Sequence, residues 1–286
     1  MNQMLATLFT RPLQQTMFAA RGRCLPIFLV AILVAGCSGD PEADYVERPV
    51  GGLYNEAADQ LVAGDFASAA KNFDEVERQH PYSVWATKAK LMSAFTYYSG
   101  NRYDEAILAA QRFVELHPGN PDVSYAYYLI AISYYEQISD IGRDQQVTRL
   151  ALASLEELVR RFPRSEYARD ARLKLDLTRD HLAGKEMHVG RYYLKRSQYV
   201  AAINRFRTVI AGFQTTSHVP EALHRLTESY LALGVENEAQ TAAAVLGHNF
   251  PRSDWYADSY GLLRGRNLEP SEDRGSWISR VWGSVF

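Results

Sequence analysis

Thiol chemistry is the first reactivity the chain offers. Cys37 closes the apolar run Ala31-Ile32-Leu33-Val34-Ala35-Gly36, and the residues after it, Ser38-Gly39-Asp40, are polar. A cysteine so placed has four possible uses: a buried apolar side chain, half of a disulfide, a nucleophile or an attachment point. The upstream residues narrow the choice. Arg21 and Arg23 precede an apolar segment from Cys24 to Gly36 interrupted only by Pro26, with no acidic residue before Asp40. This is the charged, apolar and small-residue layout of a secretory signal. The segment is shorter than the ~20 apolar residues that cross a hydrocarbon core, and it ends on small residues, so cleavage is expected in place of a permanent span.

Val34-Ala35-Gly36-Cys37 resembles the bacterial lipobox, whose cysteine is diacylated before the peptide is cut in front of it; Val34 stands where leucine is more usual. The resemblance implies a lipoprotein signal over residues 1–36, lipid on Cys37, and a polar, proline-punctuated tether over 37–50. Ser38, where an aspartate would favour inner-membrane retention, implies delivery to the outer membrane. Met17 begins a shorter stretch that has all three signal regions, so the start codon has two candidates.

Other chemistries find no constellation. The two cysteines of the chain are Cys24 and Cys37; the mature chain is left without a free thiol, which excludes disulfides, thiolate zinc sites and cysteine nucleophiles. The sequence contains no G-x-S-x-G, no P-loop, no G-x-G-x-x-G and no H-E-x-x-H. His80 and His117 each precede a proline, where an imidazole is expected to cap the last carbonyls of a helix. His181 and His188 share a helical face, but nothing near them in sequence completes a ligand set. No enzyme activity, cofactor or metal is expected. Loss of Arg11, Arg21 and Arg23 with the signal leaves 28 basic against 33 acidic residues, a net charge of −5, which leaves no basic excess for nucleic acid.

What remains is a repeat. Phe66, Ala69 and Pro81 recur 37 residues later as Tyr103, Ala106 and Pro118. The alanine returns as Ala151, Ala202 and Ala239. Four residues after each alanine stand Phe73, Ala110, Leu155, Phe206 and Ala243, and three further on Val76, Phe113, Leu158, Val209 and Leu246. The i, i+4, i+7 spacing is one face of a helix. A preceding helix carries a small residue (Ala57, Ala94, Gly190, Thr227), and turns such as Gly64-Asp65 and Gly100-Asn101 join the two. These features resemble the tetratricopeptide repeat, whose period is about 34 residues.

The fold class expected is all-α, a solenoid of five helical hairpins from Gly51 to Pro251, with an amino-terminal lobe over 51–164 and a carboxy-terminal lobe over 165–266. The third copy is lengthened by Ser139–Gln146. The fourth opens with a long helix from Ser165 to Arg196, with Gly184 and Gly190 as candidate bends. Such a stack leaves a concave surface that takes peptides and protein partners.

Lipidated start, tether and five repeats with a long fourth-repeat helix resemble the BamD (ComL) family, the lipoproteins of the outer-membrane β-barrel assembly machinery. The match is most specific in "HPGNPDVSYAYY" (117–128), "RFPRSEYARDARLKL" (161–175) and "VGRYYLKRSQYVAAINRF" (189–206). The resemblance implies a non-enzymatic adaptor, lipid-anchored at the periplasmic face of the outer membrane and aiding the folding and insertion of outer-membrane proteins. Its amino-terminal repeats would meet unfolded barrel precursors, with Tyr54, Tyr82, Trp85, Lys88 and Tyr97 as groove residues. Its carboxy-terminal repeats would hold the periplasmic domains of the barrel-forming subunit through Arg205, with Arg196 and Arg207 adding steering. Accessory lipoproteins are further implied partners. Arg205 precedes Phe206 of the buried stripe, so its charge is expected to point away from the core and to be free. A generic periplasmic repeat scaffold for cell division or pilus assembly is the alternative. In the tail, 267–286, Trp277, Ile278, Val281, Trp282 and Val285 fall on one stripe. That pattern suits an amphipathic helix docked on a partner, a membrane or its own solenoid, or else a disordered end.

If Cys37 carries the lipid, Cys37→Ser yields a folded, soluble periplasmic protein that incorporates no radiolabelled palmitate. Continued labelling of that variant overturns the assignment.

Overall fold

The computed structural model describes residues 47–283. The signal segment, Cys37 and the tether before Glu47 lie outside the described residues, as does Val285. Twelve helices and no strand occur among the described residues: α1 Val50–Val62, α2 Phe66–Gln79, α3 Val84–Ser99, α4 Tyr103–Leu116, α5 Val123–Glu136, α6 Gln146–Arg161, α7 Glu166–Lys195, α8 Tyr199–Gly212, α9 Val219–Leu233, α10 Glu236–Asn249, α11 Asp254–Arg264 and α12 Trp277–Gly283. Helices α1 to α10 form five antiparallel hairpins, each packed on the next. First helices of neighbouring hairpins touch (α1 with α3, α3 with α5, α5 with α7), whereas each second helix contacts the first helices on either side of it.

Every residue of the fifteen-position stripe is buried: the five alanines, the five residues four later and the five three beyond those are each at most 1% exposed. Ala57, Ala94 and Thr227 of the first helices are fully buried, and so is Gly190.

Four of the five hairpin turns close the same way. A left-handed residue sits two positions before the second helix: Gly64 (φ 81°), Asn101 (57°), Ser197 (57°) and Gly234 (74°). The next amide then donates to the carbonyl five residues back at 2.9–3.0 Å: Asp65 to Gln60, Arg102 to Tyr97, Gln198 to Tyr193 and Val235 to Tyr230. This is the six-to-one closure that satisfies orphan carbonyls at a helix end. The third hairpin is the exception because of its insert. There Gln145, 3% exposed, donates through Nε2 to the carbonyls of Asp140 and Arg143 and accepts from Thr148 Oγ1 at 2.8 Å, so a buried amide organises the loop.

The long helix is continuous through Gly184 and Gly190. Both glycines are there for close approach. A Cβ on Gly190 would lie 2.4–2.9 Å from the Phe206 ring, and one on Gly184 would lie 3.1 Å from His218 Nε2. α7 supplies Ala171 and Leu175 to a core shared with α5 and α6, and Ala183 and Met187 to the larger core of α8 to α12. The boundary placed between 164 and 165 therefore falls at the start of a helix that serves both cores, and residues Arg48–Phe286 form one compact unit.

The histidines also differ from expectation. His80 and His117 do end α2 and α4, but with their backbone amides, which donate to Val76 and Phe113. The His80 ring instead donates through Nε2 to the Arg48 carbonyl at 2.7 Å, and the His117 ring lies 5.3 Å from Phe113.

Gly190→Ala is expected to lower stability by about 1–3 kcal/mol through overpacking against Phe206. At Gly51 nothing lies within 4 Å of an added Cβ, and Gly51→Ala is expected to be neutral or to stabilise by up to about 1 kcal/mol. Urea denaturation of the two variants checks the contrast.

Candidate partner-docking surfaces

The first hairpins bring together three of the five groove residues. Tyr54 on α1 meets Trp85 at the start of α3 with ring centroids 4.8 Å apart, and meets Phe73 edge-on at 5.4 Å. Lys88, one turn along α3, places Nζ 5.4 Å from the Trp85 ring centre. Burial pushes the Tyr54 hydroxyl pKa up, so the phenol stays a neutral donor. This aromatic platform with an adjacent ammonium can stack an aromatic side chain and pair with a carboxylate.

The other two residues lie elsewhere. Tyr82 stands on the turn between α2 and α3 and is 101% exposed. Tyr97 donates to Asp74 Oδ2 at 2.8 Å and lines a separate groove of about 770 Å³ between α2 and α4, together with Glu77, Leu108 and Arg112. Burial first, and then the Asp74 carboxylate, push the Tyr97 hydroxyl up to about 12. The expected single groove of five residues is thus one cluster of three and two isolated positions. Helical spacing explains the split, since Tyr97 is nine residues beyond Lys88 and falls on another face of α3.

An aromatic cluster escaped the sequence reading. Tyr125 and Tyr128 of α5 meet Tyr167 of α7 at 5.2 and 5.1 Å, Phe95 of α3 lies 6.4 Å from Tyr125, and Tyr128 donates to Asp170 at 2.9 Å. The tyrosines were visible in the sequence. Their convergence with Tyr167 depends on the contact between α5 and α7, for which a linear reading has no signal.

At the other end, each guanidinium proposed for docking has a partner within the chain. Arg205 on α8 donates to Glu186 of α7 at 3.2 Å, with its side chain 45% exposed. Its charge points away from the core as expected, but it is paired. Arg196 follows α7 and lies 4.4 Å from the Tyr192 ring centre. Arg207 faces α12, with its guanidinium 4.3 Å from the Trp277 ring centre, and Trp277 Nε1 donates to Tyr230 at 2.9 Å. Arg205 and Arg207, two apart on a helix, thus serve opposite flanks of α8. The tail stripe lies on its own solenoid, with Ile278 fully buried and Trp282 8% exposed against α10 and α8.

His224 Nδ1 lies 2.9 Å from Ser259 Oγ, but Ser259 is fully buried, and burial lowers the His224 pKa. Among the described residues no cluster of three or more His, Cys, Asp or Glu could hold a metal ion, and no helix is long and apolar enough to cross a membrane.

Residues 47–246 match the family described as YfiO, outer membrane lipoprotein. The chain belongs to this family. Its relatives include the outer membrane protein assembly factor BamD of Caulobacter vibrioides, 54% identical over 85% of this chain and 81% of the relative. The same factor from Rickettsia prowazekii is 42% identical over 83% and 95%, and that of Neisseria meningitidis serogroup A is 35% identical over 73% and 82%. The family match ends at Leu246, so α11 and α12 lie beyond it.

Ile278→Ala removes a fully buried side chain from the junction of α12 with α8 and α10, and is expected to cost about 2–4 kcal/mol of local stability. Limited proteolysis should then release the tail from about residue 267 while α1 to α10 persist. An unchanged digestion pattern would show that α12 is held by other contacts.

Proposed function

We propose that this chain is a non-enzymatic outer membrane protein assembly factor, anchored by lipid on Cys37 at the periplasmic face of the outer membrane. The observation that carries the reading is 54% identity to an assembly factor over 85% of the chain. In this reading the platform of Tyr54, Trp85 and Lys88 holds an unfolded barrel precursor by stacking on an aromatic residue and pairing with a carboxylate. The carboxy-terminal hairpins hold the periplasmic domains of the barrel-forming subunit, accessory lipoproteins attach elsewhere on the solenoid, and no nucleic acid is engaged. A general scaffold for division or pilus assembly has no specific observation in its favour.

Arg205 is the residue proposed to grip the barrel-forming subunit. Its bond to Glu186 bears on how that works. An exposed pair contributes about 0–1 kcal/mol to stability, so exchanging Glu186 for a carboxylate on a partner is inexpensive. A guanidinium can also take both oxygens of a carboxylate shielded at an interface.

A charge swap separates the two roles of Arg205. Arg205→Glu is expected to abolish co-purification of the barrel-forming subunit while helix content and melting temperature stay near wild type. The double variant Arg205→Glu with Glu186→Arg restores the internal pair; if Arg205 binds a partner carboxylate, it remains defective. Rescue by the double variant would show that the arginine serves only the fold.

A further inference from the structure

The turn Pro81-Tyr82-Ser83-Val84 exposes apolar side chains that the fold does not require there. Tyr82 is 101% and Val84 78% exposed. The same turn recurs as Pro163-Arg164-Ser165-Glu166 and Pro251-Arg252-Ser253-Asp254. The three backbones agree. Each serine is extended (ψ 147°, 153° and 138°), and its amide donates at 3.0 Å to the residue before the proline: His80, Phe162 or Phe250. The aromatic after each turn (Trp85, Tyr167, Trp255) packs on neighbouring rings in all three copies and is structural. At the two outward positions, later copies carry an arginine and an acid, all exposed, and the first copy carries tyrosine and valine. Solvated charges are therefore compatible with this geometry, and the apolar pair calls for another cause.

The position of the turn supplies one. Arg48, where the described chain begins to pack, is held beside it: the Arg48 amide donates to Gln79 Oε1 at 2.8 Å, and its carbonyl accepts from His80 Nε2 at 2.7 Å. Eleven residue steps separate Cys37 from Arg48, a reach of at most about 40 Å. Of the three turns, the apolar one is thus the one next to the point where the anchor segment joins. A tyrosine flanked by an aliphatic residue, with Lys88 one turn behind, is chemistry suited to the headgroup boundary of an anionic bilayer.

We propose that Tyr82 and Val84 form a membrane-contact turn that seats the first hairpin on the phospholipid surface. The inference rests on the lipid-anchor reading. Acylation alone limits distance and leaves orientation free, whereas a second contact beside the anchor fixes which end of the solenoid faces the bilayer.

The test uses the mature chain with Cys37→Ser, which has no other thiol, bound through an amino-terminal histidine tag to phosphatidylethanolamine and phosphatidylglycerol vesicles containing a nickel-chelating lipid. An environment-sensitive dye at Tyr82→Cys is expected to shift to the blue and to be protected from aqueous quencher, whereas dyes at Arg164→Cys and Arg252→Cys stay aqueous. Untagged protein carrying Tyr82→Asp and Val84→Asp is expected to partition about tenfold less onto the vesicles, the loss of roughly one buried apolar side chain. Equal dye responses at the three turns would overturn the proposal. So would a dye at position 82 that responds to a peptide from a barrel strand but not to vesicles. Because the tag replaces the acyl chains, a failed palmitate labelling removes the natural anchor without altering this result.

Discussion

The approach of Phe206 to Gly190 is the contact on which the arrangement of the chain depends. α7 is the one helix that supplies residues to both the core of α5 and α6 and the core of α8 to α12. Its second half can sit against α8 only if the Phe206 ring occupies the space where any other residue would place a Cβ. A glycine within a helix costs about 1 kcal/mol relative to alanine. Here that cost is offset by a fully buried phenylalanine and by the uninterrupted 30-residue rod that it secures. Ala57, Ala94 and Thr227 do a milder version of the same work in the other hairpins, so close helix pairing is a property of the whole stack.

Electrostatics on this scaffold is largely local. Arg191 grips Glu221 across α7 and α9 with two bonds of 2.8 and 2.6 Å. Burial raises the Glu221 pKa, but Arg191 and Arg225 outweigh it and hold the carboxyl below its ordinary value. A lowered carboxyl pKa gives stability that is complete above the unfolded value and is lost as pH falls through the native one, so this strut weakens only in acid. Arg205 and Glu186 are paired more loosely and with more exposure, which suits a charge that can be handed to a partner. Arg207 is committed differently, beneath the indole of a tail that lies beyond the family match. The two arginines are two residues apart in the sequence and have opposite neighbours in space.

The turns show how a repeat separates structure from use. In the first, third and fifth copies the positions that close the turn keep their type: proline, a serine with extended backbone, then an aromatic. The outward positions are free of packing and can take whatever the surroundings demand, charge in the third and fifth copies and tyrosine with valine in the first. Internal comparison of copies thus does for this chain what comparison among relatives does elsewhere.

The sequence by itself determined the all-α solenoid, the hairpin count and the buried stripe, because burial on a helix follows a 3.6-residue period that is written along the chain. It also determined which arginine turns outward. The tertiary structure decided the rest. Gly190 reads in the sequence as the small residue that lets its helix pair pack closely, but the Phe206 ring that meets it and the His218 imidazole beside Gly184 are delivered by α8 and by the turn before α9. The resemblance groups five groove residues, yet faces of a helix diverge by 100° per residue, and Tyr54, Trp85 and Lys88 meet while Tyr82 and Tyr97 lie elsewhere. Tyr167 with Tyr125, Glu186 with Arg205 and Trp277 with Arg207 are pairs 42, 19 and 70 residues apart. Only the packing of one helix on another, within a hairpin or between hairpins, or of the tail on the solenoid, brings such partners within reach.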